Sequence, residues 1–254
     1  QKWNDYLELM NGIFVNAEYF RAQLLQYGKF TFRNRVDSGD LALIQANFDE
    51  DHEWENHNVT FATSDWSDPE ADIIGDLDEL CQRYEDANGS KEGAILLMTS
   101  RTYRCIEKNA ALNNLVYNYR WTGVEDYFSR KLNVRIMIDD AKFQRELAHN
   151  TTSPSATQEK FIQDGNVCMI PATRLGNIVA CECDVFRDML RNGVDKRTDV
   201  EFEGETGTMV RIKEFDDPYK IQTFVEAHIF PRFDPGMMER CCVMRACPTG
   251  FGLH

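Results

Sequence analysis

The chain has 254 residues, 43% hydrophobic and 28% charged, which is ordinary for a folded protein with room for one large domain or two small ones. Its 42 acidic residues against 28 basic ones leave a net charge of −14, and Arg101, Arg104, Lys108 and Arg120 are scattered rather than gathered. That excludes a nucleic-acid-binding surface, which needs its cations in a patch, and no apolar run is long enough to cross a membrane.

The opening segment reads as one amphipathic helix over residues 2–27. Trp3, Tyr6, Met10, Ile13, Ala17, Phe20 and Leu24 recur at steps of three and four, and Gly28 stands where a left-handed cap belongs. At 1.5 Å per residue such a helix is about 38 Å long. The sequence is helical from Gln1 onward and is expected to be a piece of a longer chain.

A hairpin follows, with Phe30-Thr31-Phe32 and Leu41-Ala42-Leu43-Ile44 flanking Asp37-Ser38-Gly39-Asp40. Residues 49–54 read as an acidic loop. Ser67-Asp68-Pro69-Glu70 carries helix-start signals. The helix they predict has Ile74, Leu77, Cys81 and Tyr84 on one face and stops at Asn88-Gly89. Residues 94–98 form a short apolar strand, and Thr99 or Ser100 caps one helix with Tyr103, Ile106, Leu112, Leu115 and Val116 as apolar positions. Residues 134–138 and 167–170 read as buried strands, with an exposed Thr/Ser-rich loop over 149–160.

The chain then returns to strands. Val200-Glu201-Phe202 and residues 208–215 flank Gly204-Glu205-Thr206-Gly207, a hairpin with suitable turn residues. After Asp216-Asp217-Pro218 comes the longest alternation. One face reads Tyr219, Ile221, Thr223, Val225, Ala227, Ile229, and the other Lys220, Gln222, Phe224, Glu226, His228, Phe230. Period two over a dozen residues predicts a long half-buried strand. Such a strand suits a thin platform better than a catalytic pocket.

No constellation predicts a catalytic, cofactor-binding or metal site. His52 and His57, with Glu53 and Glu55, are the most metal-like group, but five residues separate the two imidazoles in a stretch without helical periodicity. Zinc proteases need them four apart on a helix. An acidic surface loop is the simpler expectation. Cys181-Glu182-Cys183 and Cys241-Cys242 with Cys247 lack paired zinc-knuckle spacing. Cys81 and Cys105 read as small buried hydrophobes, in a chain whose eight cysteines suit a reducing compartment. Asp49-Glu50-Asp51 and Asp76, Asp78, Glu79 read as acidic clusters.

In this order, these segments resemble the lambda-type major capsid proteins of tailed bacteriophages. The resemblance is carried by Tyr27-Gly28-Lys29-Phe30-Thr31 after the long helix and by residues 66–73 opening the next one. Residues 161–167 resemble the family's turn into a core strand, and Asp216-Asp217-Pro218, the long strand through Asp234-Pro235 and a final strand near 239–246 complete the match. It implies an α+β, HK97-like shell fold. Residues 1–60 and 195–232 would form an elongated peripheral domain. Residues 61–194 and 233–254 would form an α/β axial domain, and the N-terminal arm and extended loop would lie upstream. It further implies a major head protein that assembles with itself into pentamers and hexamers of an icosahedral shell. Scaffold, portal and decoration proteins would be its partners. The shell would enclose double-stranded DNA without reading its sequence, in the virion after assembly in the host cytoplasm, without a membrane and without enzymatic activity. The alternative is a soluble α/β metal-dependent enzyme using the His52 and His57 loop or the cysteines.

The alternation makes one local prediction. Val225→Asp is expected to lower stability by about 2–4 kcal/mol, because it buries a charge with no partner. An unchanged denaturant midpoint would place Val225 on the wet face of the strand.

Overall fold

Helix α1 spans Lys2–Tyr27 in the computed structural model, which describes residues 2–35, 41–47, 53–145, 157–181, 198–203, 208–214, 221–234 and 236–247. From Ile13 onward its apolar stripe behaves as the spacing predicts. Ala17 and Leu24 are buried, Ile13 and Phe20 half-buried, and Phe14 and Val15 exposed. Gly28 ends the helix at φ +64, with its N–H on the Leu24 carbonyl at 2.9 Å.

Backbone contacts divide the chain into two units. The first comprises residues 1–21 and 176–232. Its sheet contains β9 (Gly176–Cys181), β10 (Thr198–Glu203), β11 (Thr208–Glu214) and β12 (Ile221–Phe233), in the order β10-β11-β12-β9. The pairings β10–β11 and β11–β12 are antiparallel, with Val210 opposite both Glu201 and Val225. The predicted hairpin and the 13-residue strand are both present. The turn residues 204–207 and the Asp216-Asp217-Pro218 segment lie outside the described residues.

The second unit comprises residues 22–175 and 233–254. Strands β1 (Lys29–Arg35) and β2 (Leu41–Asn47) form the predicted antiparallel pair, whose turn is outside the described residues. The centre is a five-stranded mixed sheet of β3 (Val59–Phe61), β4 (Ile95–Met98), β5 (Arg135–Ile138), β8 (Asn166–Ile170) and β13 (Cys242–Arg245), ordered β3-β13-β8-β4-β5. Period two sends each central strand's residues to opposite faces. Leu96, Met98, Val167, Met169, Cys242 and Met244 join one core with Leu77, Leu80, Ile106 and Leu112. Leu97, Cys168 and Val243 join a second core with Ala22, Leu25, Trp54 and Ile162. A sheet covered on both faces needs continuous apolar strands, and β4, β8 and β13 supply them.

Several sequence expectations are corrected here. Helix α3 spans Ile73–Asn88 and starts later than Ser67. Asp65 and Asp68 accept from the N–H groups of Ser67 and Glu70 in local turns. Asp72 caps the helix instead, through Gly75 N–H. Its end at Gly89 is as predicted, left-handed at φ +77. The expected single helix after Thr99 is two, α4 (Ser100–Lys108) and α5 (Ala110–Asn118). Buried Asn109 divides them by capping α5 at Leu112 N–H while donating to the carbonyls of Pro69 and Ala71.

Strand β5 is an exposed edge instead of a buried strand, with Met137 and Ile138 open to solvent. It follows α6 (Val124–Asp126) and a π-helical segment, Tyr127–Leu132. Part of the expected 149–160 loop is β7 (Thr157–Lys160), antiparallel to β6 (Lys142–Arg145). Residues 146–156 are outside the described residues. The expected loop around His52 and His57 contains a short helix, α2 (Glu53–Asn58), which Trp54 anchors in the second core. Asp76 belongs to no surface cluster. It is 1% exposed and accepts from Thr63 N–H, Thr63 Oγ1 and Trp66 Nε1 at 2.8–2.9 Å.

The end of α1 is tied into unit two by Gln26, which is fully buried. Its Nε2 donates to the carbonyls of Ala22 and Phe161, both at 2.9 Å. Its Oε1 accepts from Gln163 N–H and Asn166 Nδ2 at 2.9 and 2.8 Å. Gln26→Met keeps the volume but strands a buried carbonyl, an N–H and an amide donor. The expected loss is about 2–5 kcal/mol in denaturant unfolding. A midpoint within error of wild type would refute the role given to this amide.

Candidate functional site

The residues singled out for chemistry do not converge among the described ones. His57 is exposed on α2, and its carbonyl accepts from Arg83 at 3.3 Å. His52 lies outside the described residues, as do Glu182 and Cys183. Cys81, Cys168, Cys241, Cys242 and Cys247 are buried, while Cys105 is half-buried. Burial pushes the thiols of Cys81 and Cys242 up to about 11 and those of Cys168 and Cys247 up to about 12. Thiols held protonated at neutral pH are poor nucleophiles and poor metal ligands. Among the described residues, no three His, Cys, Asp or Glu side chains come together as a metal site.

One ionic cluster does form, and sequence reasoning missed it. Lys160 at the end of β7 reaches Asp140 at 3.0 Å and Asp164 at 2.8 Å. Asp164 also accepts from Thr99 Oγ1 at 2.7 Å and faces Arg101 at 3.6 Å. Asp140 accepts from Ser100 N–H at 3.2 Å. The cluster fastens the β6–β7 pair to the start of α4. Thr102 extends it, taking Gly165 N–H at 2.9 Å, where Gly165 turns at φ +85 into β8. No spacing rule links residues 99, 140, 160 and 164, because only the tertiary fold brings them together.

Hydrogen bonds from Ser100, then Lys160, hold the Asp140 carboxyl at about 2. Burial pushes Asp164 up, but hydrogen bonds from Lys160 and Thr99 outweigh it, so its carboxyl also sits below the usual range. Both are depressed, so their contribution is complete above the unfolded carboxylate value near 4 and is lost as pH falls through the folded values. Lys160→Met is therefore expected to melt below wild type at pH 6, with the gap closing towards pH 2. A gap independent of pH would show that these ion pairs do not stabilise the fold.

Unit two also presents apolar side chains to solvent. Both edges of its five-stranded sheet carry exposed apolar side chains, Phe61 on β3 and Met137 and Ile138 on β5. At the end of α5, Tyr117 on its last turn and Tyr119 just beyond it are 83% and 66% exposed. Neither tyrosine breaks a periodic pattern, so no sequence signal marks them as unburied.

No protein-family profile matches the chain, and no curated protein matches it by sequence. Solved structures do match its fold. A candidate capsid protein of a prophage (E. coli CFT073) superposes with a TM-score of 0.57 at 12% identity, over 95% of this chain. A phage-related protein from Bordetella bronchiseptica RB50 gives 0.53 at 12% identity, over 96% of this chain. The chain spans 65% of each neighbour's length. It therefore has a mixed α+β, capsid-like fold.

Proposed function

We propose that this chain is the shell-forming major head protein of a tailed phage or prophage, built on the HK97-like plan. The observation that carries the reading is the fold likeness to a candidate prophage capsid protein along 95% of the chain. The 26-residue α1 and the 13-residue β12 suit an elongated peripheral domain of residues 1–60 and 195–232. The two-faced sheet suits an axial domain of residues 61–194 and 233–254. Copies of the chain would be the main partners, in pentamers and hexamers, with scaffold, portal and decoration proteins as further ones. A net charge of −14 suits a wall that contains DNA without adhering to it. The protein acts through repeated contacts in closed symmetry and catalyses nothing.

Negative-stain microscopy of the purified chain, with sedimentation over a concentration series, tests this. The expected result is five- or six-membered rings or closed shells. A single small species at every concentration, with a co-expressed scaffold or without one, would overturn the proposal.

A further inference from the structure

The turn after α5 is constructed in a way that the core does not require. Tyr117 and Tyr119 stand open to solvent, and the next residue, Arg120, holds a left-handed backbone at φ 53. A long side chain with a Cβ rarely adopts that conformation. The turn is also closed by its own hydrogen bonds. Arg120 N–H donates to the Tyr117 carbonyl at 3.2 Å, and Trp121 N–H to the Val116 carbonyl at 3.0 Å. The Tyr119 ring stacks on Trp121 at 5.0 Å, and Trp121 rests on buried Tyr127 at 6.4 Å. Asp126 locks the exit, accepting from both Thr122 N–H and Oγ1 at 2.8 Å.

Preorganised Tyr, Arg and Trp side chains are the composition of interface hot spots, because rings already held in place lose little entropy on contact. Charge selects the occupant. The five residues 117–121 carry one charged side chain, the exposed cation of Arg120, in a chain whose overall balance is −14. Helix α3 holds five acidic side chains against one basic, and Asp78, Glu79 and Asp86 are on its exposed side. The chain thus carries both a cationic aromatic knob and an acidic outer helix face.

We infer that the turn of residues 117–121 is a self-association contact that seats on the outer face of α3 of a second copy. The inference rests on the shell reading and deepens it. The two surfaces differ, so the contact is head-to-tail, which forms a ring where its rotation closes.

Sedimentation velocity of the full chain tests it, with thermal melting as the folding control. Arg120→Gly suits the left-handed backbone, so melting should hold or rise while self-association weakens about tenfold. Tyr117→Ser with Tyr119→Ser should weaken it at least as much. Arg120→Glu should weaken it further, and adding Glu79→Lys should recover most of that loss. If wild type assembles and these folded variants assemble equally well, the turn serves another occupant and the inference is overturned while the shell reading stands. If wild type never assembles, both fail together.

Discussion

The buried amide of Gln26 is the constraint on which much of unit two depends. Three of its four hydrogen bonds join the last turn of α1 to the segment that enters β8, and the fourth stays within α1 at the Ala22 carbonyl. The main-chain carbonyl of Gln26 takes a fifth bond, from Arg245 Nη2 at 2.7 Å, which reaches the C-terminal strand β13. The same guanidinium lies 4.7 Å from the Tyr27 ring centroid. Three segments distant in sequence therefore meet on one glutamine. A buried amide is tolerated only when its donors and acceptors are satisfied, and each of those partners exists only in the correct fold. The site therefore specifies register as well as stability.

Gly28 belongs to the same joint. A Cβ there would stand 2.9 Å from the Trp54 ring, and the backbone is already left-handed. Glycine answers both demands, and the indole fills the space it leaves. Trp54 is in turn a member of the second core, so the end of α1, helix α2 and the lower face of the sheet are fixed by one set of contacts. On the opposite face, Asp76 places a carboxylate beside Trp66 and Thr63 and ties the 62–66 segment to α3. Backbone bonds from Ala62 and Trp66 then continue that segment along β13 to Ala246. Both faces are pinned by a polar group set in apolar surroundings.

The elements legible in the sequence were those whose physics is local. α1, its Gly28 cap, the β1–β2 pair, the β10–β11 pair and β12 each follow from periodicity and turn residues within one window. The errors arose where local signals had rival uses. Ser67 and Asp68 resemble a helix start, yet they sit in aspartate turns while Asp72 takes the cap. Asn109 is unremarkable within an apolar period, and only its bonds to Pro69 and Ala71 make it a break. An apolar run such as residues 134–138 reads the same on a covered strand and on an open edge, since burial depends on what neighbours the sheet. The Lys160 cluster and the exposed tyrosines are products of tertiary placement, and no spacing predicts them. The capsid-like fold was legible as an ordered set of weak motifs, not as any one of them.

The charge balance limits how copies of such a chain can adhere. Two molecules each carrying −14 repel, but salt near physiological strength screens that repulsion beyond about 8 Å. Cohesion must therefore come from short-range contact: apolar area removed from water, with a few opposite charges placed where they touch. The exposed apolar groups on unit two fit this requirement, because Phe61 and the pair Met137 and Ile138 lie on opposite edges of one sheet. Edge strands left open in this way invite pairing with another chain, and natural proteins usually blunt them with charge. On β5 only Arg135 supplies that charge, at the start of the strand. A chain that repels its copies at a distance and carries apolar side chains at its sheet edges would associate only in selected orientations, as the proposed shell requires of its subunit.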